Sequence, residues 1–147
     1  MAIHCTAGSA GSAPMDIREY ARYDEAEVLD LYGSVGWTAY TDDPAALRAG
    51  FENSLLCLAA YEGDKLIGLL RAVGDGQTVV LLQDILVRPT CQRQGVGTAL
   101  VRAALARYAH VRQVQLVTDD RPETTAFYGV LGFRDLEALG CRGFMRV

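Results

Sequence analysis

A mostly apolar run from Thr78 to Val87 leads through Arg88 and Pro89 into Gln92-Arg93-Gln94-Gly95-Val96-Gly97-Thr98, and from there into a helical pattern ending at Tyr108. Such a run suits a central strand buried on both faces, so the rest of the chain must supply covering layers on either side. The glycines at 95 and 97 let the main chain turn tightly and come close to a ligand. A helix beginning near Thr98 would aim unpaired N–H groups and its positive dipole end at the same place. The combination predicts an anion site of the phosphate or pyrophosphate type. Two common loops are excluded, because Leu100 stands at the third glycine of G-x-G-x-x-G and no Gly-Lys-Ser/Thr follows as in a P-loop. The spacing that fits is Gln/Arg-x-x-Gly-x-Gly/Ala.

The flanking patterns predict a single mixed α/β domain. Met15 to Tyr20 alternates as a strand, and Asp24 can cap a helix carrying Val28, Leu29, Leu31 and Tyr32. A loop through Trp37 to Asp43 leads to Pro44, well placed to start a second helix. Leu55 to Tyr61 and Lys65 to Val73 form a hairpin around Glu62-Gly63-Asp64, and Gly74-Asp75-Gly76 turns into the central strand. Beyond the Thr98 to Tyr108 helix come a strand at Gln113 to Thr118, a helix at Glu123 to Leu131 and two final strands, Leu136 to Leu139 and Arg142 to Val147. Residues 1–14, rich in Gly, Ser and Ala, are expected to be a flexible leader, with Met15 as a natural start and a native disordered tail as the alternative.

At 147 residues with half of them apolar, the chain is long enough for one sizeable core and too short for a second domain of ordinary size. A net charge of −4 with no Lys/Arg cluster argues against nucleic acid and anionic membranes as partners, and weakly favours a cationic substrate. Cys5, Cys57, Cys91 and Cys141 lie far apart, and only His4 and His110 accompany them, so neither a zinc site nor a disulfide scaffold is expected. No long apolar segment or secretory signal is present, and a cytoplasmic location is expected.

Downstream stands Phe127-Tyr128-Gly129-Val130-Leu131-Gly132-Phe133. In this order the two motifs resemble the acetyl-coenzyme A loop and the F-Y-x-x-L-G-F block of the GNAT N-acetyltransferase superfamily. The resemblance spans nearly all of Met15 to Val147. It implies a central mixed, mostly antiparallel sheet of about 6–7 strands flanked by about 4 helices. It also implies acetyl-CoA as co-substrate, no metal, and direct transfer to an amine in a ternary complex. By this resemblance the backbone of Ile85, Leu86 and Val87 holds the pantetheine arm and polarises the thioester, while Gln92, Arg93, Gln94, Gly95, Val96, Gly97 and Thr98 wrap the pyrophosphate. Tyr128 stands beside the cofactor sulfur and gives its proton to the departing thiolate. The chain departs from the family's frequent asparagine six residues before Phe127, where it has Arg121.

An alkylammonium must lose a proton before it can attack, because its pKa near ~10.4 leaves only a small fraction neutral at pH 7. Asp84, a carboxylate in an apolar strand beside the cofactor stretch, is the expected base, with a structural hydrogen bond as the alternative. Val35-Gly36-Trp37, Leu66-Ile67-Gly68 with Arg71-Ala72, and Asp84 to Val87 with Pro89 are similar to a narrower subgroup. It contains plant plastid acetyltransferases of serotonin-like arylamines and protein amines, with bacterial relatives. That suggests that Trp37 and Tyr40, with Asp84, border a small-molecule or peptide amine, a core anchor for the loop being the alternative role of Trp37. Asp42, Asp43, Asp75, Asp119 and Asp120 would draw cations or serve turns. A homodimer is the default assembly. The competing functions are a non-catalytic acyl-CoA-binding or sensing domain and transfer of another acyl group.

Overall fold

The computed structural model describes residues 3–5, for backbone only, and residues 15–147. They form two units, one ending at Val117 and one running from Thr118 to Val147. The first contains a sheet of β1 (Ile3–Cys5), β2 (Met15–Glu19), β3 (Leu56–Glu62), β4 (Lys65–Gly74), β5 (Val79–Val87) and β6 (Gln113–Leu116), ordered as in the chain. Neighbours are antiparallel except β5 and β6, which are parallel. A parallel neighbour needs a crossover, and here it is the helix that follows the glycine loop. From Met15 onward the described chain therefore holds five strands, short of the 6–7 expected. The sixth, β1, comes from the stretch read as a leader, of which residues 1–2 and 6–14 lie outside the described part.

Capping chemistry sets the helix boundaries. Asp24 accepts the Glu27 N–H at 3.1 Å to open α1 (Glu25–Ser34), and Asp43 accepts the Ala46 N–H at 3.1 Å to open α3 (Pro44–Glu52). The segment expected as a loop between them contains a single helical turn, α2 (Thr38–Thr41), with Trp37 at its N-cap. Val28, Leu31 and Tyr32 of α1, with Leu47 and Phe51 of α3, pack on Ala59, Leu66, Leu69 and Leu86 of the sheet. Gly68 and Leu69 point to opposite faces. At Gly68 an added Cβ would lie 2.9 Å from Val96 Cγ1 and 3.2 Å from Leu100 Cδ1, so the missing side chain lets α4 (Val96–Arg107) sit tightly on the other face. The sheet is thus covered on both sides, with the core on each.

The unit from Thr118 carries α5 (Pro122–Val130), whose end is followed by Gly132 at φ +94. The two final strands expected at Leu136 to Leu139 and Arg142 to Val147 are not formed. Glu137–Leu139 makes a 3-10 turn closed by Gly140 at φ +73, as befits a Glu-Ala-Leu sequence of good helix formers before a glycine. Arg142 to Val147 forms no ladder, and Phe144, Met145 and Val147 are exposed. Apolar residues alone do not make a strand without a partner.

Candidate functional site

β5 has one complete edge and one incomplete edge. Along β4 it pairs from Val80 to Val87, but along β6 only Val79 to Leu82 are paired. Arg88 N–H donates to Ile67 O at 2.7 Å, which fixes the hydrogen-bonded pairs of the antiparallel ladder as Arg88 with Ile67 and Leu86 with Leu69. Ile85 and Val87 therefore turn their N–H and C=O groups to the open side. Leu86, expected with them as a backbone ligand, instead turns its polar groups to β4, and its side chain lies in the core. Gln92 Nε2 donates to Val87 O at 3.1 Å, occupying the last carbonyl on that open edge.

The open edge runs directly into the loop. Pro89–Cys91 forms a 3-10 turn with Cys91 buried. Arg93 adopts φ +63 and Gly95 φ +84, so two left-handed residues bend the backbone around the exposed Gln94 and into α4. Val96 plants its side chain in the core and so anchors the start of the helix. The first bond across the helix start runs from Ala99 N–H to Gly95 O at 3.0 Å, which leaves the N–H groups of Val96, Gly97 and Thr98 without helical acceptors. No side chain caps them, and an added Cβ at Gly95 would meet nothing within 4 Å. These donors, with the helix dipole behind them, form a cradle for a phosphate-type anion.

On the α1 and α3 face, Asp84 is 1% exposed and Arg71, its neighbour across the β4–β5 ladder, 8%. A β-bulge beside Arg71 adjusts the register there. Asp84 Oδ2 accepts from Arg71 Nε at 2.7 Å and from the Tyr32 hydroxyl at 2.8 Å, and Oδ1 accepts from the Tyr40 hydroxyl at 2.7 Å. Arg71 Nη1 continues to Ser54 Oγ at 3.3 Å. Burial alone would lower the Arg71 guanidinium, but the Asp84 charge and hydrogen bond outweigh it and hold it raised. Tyr32 is raised beyond the ordinary phenol range by burial and then by Asp84; Tyr40 is raised by burial foremost. Trp37 and Tyr40 rest on Tyr32 with ring centroids 5.9 and 5.2 Å away. Asp84, Tyr40 and Trp37, chosen from the sequence, are thus brought together. Tyr32 and Arg71, equally part of the cluster, were missed as members. The available signal was a lone arginine and a lone aspartate in adjacent apolar strands of one hairpin.

In the second unit, the Tyr128 ring packs against Phe127 and Phe133 at 4.9 and 5.8 Å. Burial and then the Asp119 carboxylate push the Tyr128 phenol up to about 12, so it stays protonated across the physiological range. Arg121 at the α5 N-cap pairs with Asp119 at 3.0 Å. Asp43 and Asp75 serve local backbone, Asp75 accepting N–H groups of Gln77, Thr78 and Val79. Among the described residues no group of His, Cys, Asp and Glu could hold a metal ion, and no helix is long and apolar enough to cross a membrane.

Serotonin N-acetyltransferase 2, chloroplastic, of Oryza sativa subsp. japonica is 28% identical over 130 residues, 84% of this chain and 63% of that protein. An uncharacterized N-acetyltransferase of Gracilaria tenuistipitata var. liui is 30% identical over 109 residues, 70% of this chain and 58% of that protein. The chain thus spans about three fifths of the length of these curated relatives. Among solved structures, a GNAT family acetyltransferase from Streptococcus pneumoniae TIGR4 superposes with a TM-score of 0.83 at 35% identity, over 90% of this chain and 97% of that one. An aminoglycoside 6'-N-acetyltransferase complexed with coenzyme A superposes with a TM-score of 0.61 at 26% identity, over 71% of this chain and 62% of that one. The acetyltransferase (GNAT) family model matches residues 20–133, a span running from the end of β2 past the glycine loop to Phe133. With the mixed sheet, the open edge of β5 and the loop at the start of α4 in place, the chain belongs to the acetyltransferase (GNAT) family.

Proposed function

We propose that this chain moves the acetyl group of acetyl-CoA directly to a primary amine within a ternary complex. The observation that carries this reading is the open edge at Ile85 and Val87, continuous with the unpaired N–H groups of Val96, Gly97 and Thr98. An extended amide-bearing arm ending in a pyrophosphate fits such a strip, because the strand edge offers amide partners and the helix start offers anion donors. The coenzyme A named in the aminoglycoside acetyltransferase structure supports the choice of carrier, and the serotonin acetyltransferase supports an amine as acceptor.

Acetyl-CoA supplies the activated acyl group as a thioester. Main-chain N–H groups at the open edge offer a donor for the oxyanion that develops there. The acceptor binds beside Trp37 and Tyr40, and its nitrogen attacks as the free amine, forming C–N while C–S breaks; the nitrogen sheds one N–H proton to solvent as the thiolate takes one up. Tyr128, matched by the F-Y-x-x-L-G-F motif to the family's tyrosine beside the cofactor sulfur, is the residue assigned to the departing thiolate. A phenol held near 12 is a weaker acid than the thiol it serves, so its main contribution is a hydrogen bond to the departing thiolate.

The test is release of free thiol from acetyl-CoA with a panel of arylamines, polyamines, aminoglycosides, amino acids and lysine peptides. Tyr128→Phe should lower turnover about 10²-fold with unchanged cofactor affinity, since it removes one hydroxyl and keeps the ring. A wild-type rate in that variant would reduce Tyr128 to packing. Thermal stabilisation by acetyl-CoA without thiol release from any amine would favour the sensing alternative.

A further inference from the structure

Tyr40 has a hydrogen-bond polarity that its position alone does not explain. Asp84 is paired with Arg71 and is acceptor-only, so the Tyr40 hydroxyl at 2.7 Å must spend its single proton inward on Asp84 Oδ1. The outward side of the Tyr40 oxygen then carries lone pairs alone. Gln83 Nε2 approaches one of them at 3.4 Å, and Tyr40 itself is partly exposed. Tyr32 and Arg71, both buried, hold the other carboxylate oxygen, so Asp84 cannot turn away.

Resting on the proposed amine acetylation, we propose that Tyr40 binds the acceptor nitrogen as a fixed hydrogen-bond acceptor, and that Asp84 is the positioning residue that keeps it so. An unanchored phenol facing a neutral amine would donate its proton to the nitrogen lone pair, the pair that must attack the thioester. A phenol locked inward accepts an amine N–H instead and leaves that lone pair free. The same arrangement discounts Asp84 as the base expected from its sequence position. A proton reaching Asp84 would have to travel through Tyr40, would displace one of the three donors, and would strip the buried Arg71 guanidinium of its counter-charge. The site thus favours acceptors that present an N–H donor and enter the reaction as the free amine.

Trp37 is the chain's one tryptophan and packs against Tyr40 with ring centroids 6.1 Å apart, so its fluorescence reports occupancy independently of turnover. Serotonin, spermidine and a lysine peptide would be titrated into wild-type protein, Tyr40→Phe, Asp84→Asn and the double variant, with acetyl-CoA thiol release followed in parallel; serotonin, itself fluorescent, would be read by thiol release alone. For the best amine, Tyr40→Phe should raise KM about tenfold, the scale of one hydrogen bond to a charged or strongly polar group. The cofactor-induced melting shift should stay intact. The rise of kcat/KM with pH should keep its wild-type shape, because it follows the amine and not an enzyme base. Asp84→Asn should cost more than Tyr40→Phe, and adding Tyr40→Phe to it should cost almost nothing further, since the two act as one device.

A flattened pH profile in Tyr40→Phe would overturn the proposal in favour of a proton relay to Asp84. Unchanged KM in Tyr40→Phe, with wild-type protein active on the amine, would overturn it while sparing the acetyltransferase reading. If Asp84→Asn does not fold, the Tyr40→Phe profile alone decides. No thiol release from any amine by the wild-type protein would overturn both together.

Discussion

From Val80 to Leu82, β5 has β4 on one side and parallel β6 on the other; from Gln83 to Val87 it keeps β4, but its pairing with β6 has ended at Leu116. Side chains hardly distinguish the halves, because Leu82, Asp84 and Leu86 are all buried in regular alternation with less buried neighbours. The main chain does distinguish them. The first half has spent its polar groups on the sheet, whereas the second has Ile85 and Val87 facing away from β4 with no strand among the described residues to meet them. A strand stretch left without its second neighbour, feeding an uncapped helix start, is the feature on which the proposed ligand site rests, and hydrophobicity alone could not have located it.

Gly95→Val should break the ligand half most severely. Its φ of +84 strains any side chain by about 1–2 kcal/mol. The Cβ would project into open space beside the helix donors, so the fold tolerates it better than the ligand does. We expect acetyl-CoA affinity to fall by more than about 10²-fold, measured calorimetrically, equivalent to losing well over 2 kcal/mol of binding. Wild-type affinity would remove the loop from the account.

Gly68→Ala sharpens the comparison from the opposite face. Its Cβ would press on Val96 Cγ1 at 2.9 Å and on Leu86 O at 3.2 Å, lifting the start of α4 from the sheet without touching the ligand surface. Overpacking of this kind costs about 1–3 kcal/mol. A lowered melting temperature with about tenfold weaker acetyl-CoA binding is expected, and a lowered melting temperature with unchanged binding would show that the cradle does not depend on the seat of α4. Gln92→Ala should have the smallest effect. The amide it removes bonds Val87 O from an exposed position, and a ligand amide can take its place, so binding should change by less than about fivefold, the scale of one exposed hydrogen bond.

Much of this architecture was legible because local chemistry writes it into the chain. Asp24 and Asp43 cap the helices they precede, Pro44 opens α3, and Gly63 turns the β3–β4 hairpin. The glycine loop was found from its residues, with the helix start displaced from Thr98 to Val96. Failures came where the outcome depends on partners distant in sequence. Arg142 to Val147, expected as a final strand, forms no ladder. Leu86 was grouped with Ile85 and Val87 because the direction of a backbone amide depends on ladder parity, set by β4. Asp84 was recognised as unusual, but its role turns on Tyr32, Tyr40 and Arg71, which arrive from α1, α2 and β4. Motifs reveal a site's local parts; the polarity of its hydrogen bonds comes from tertiary structure.

The most direct test is amide hydrogen exchange, residue by residue, with and without saturating acetyl-CoA. The account predicts that the N–H groups of Ile85, Val87, Val96, Gly97 and Thr98 exchange markedly more slowly when the ligand is bound, while Val80 to Leu82, already flanked by strands on both sides, change only by the general stabilisation that any ligand confers. Uniform slowing across both halves of β5, or protection that leaves Ile85 and Val87 untouched, would contradict the claim that the ligand occupies the edge β6 leaves open.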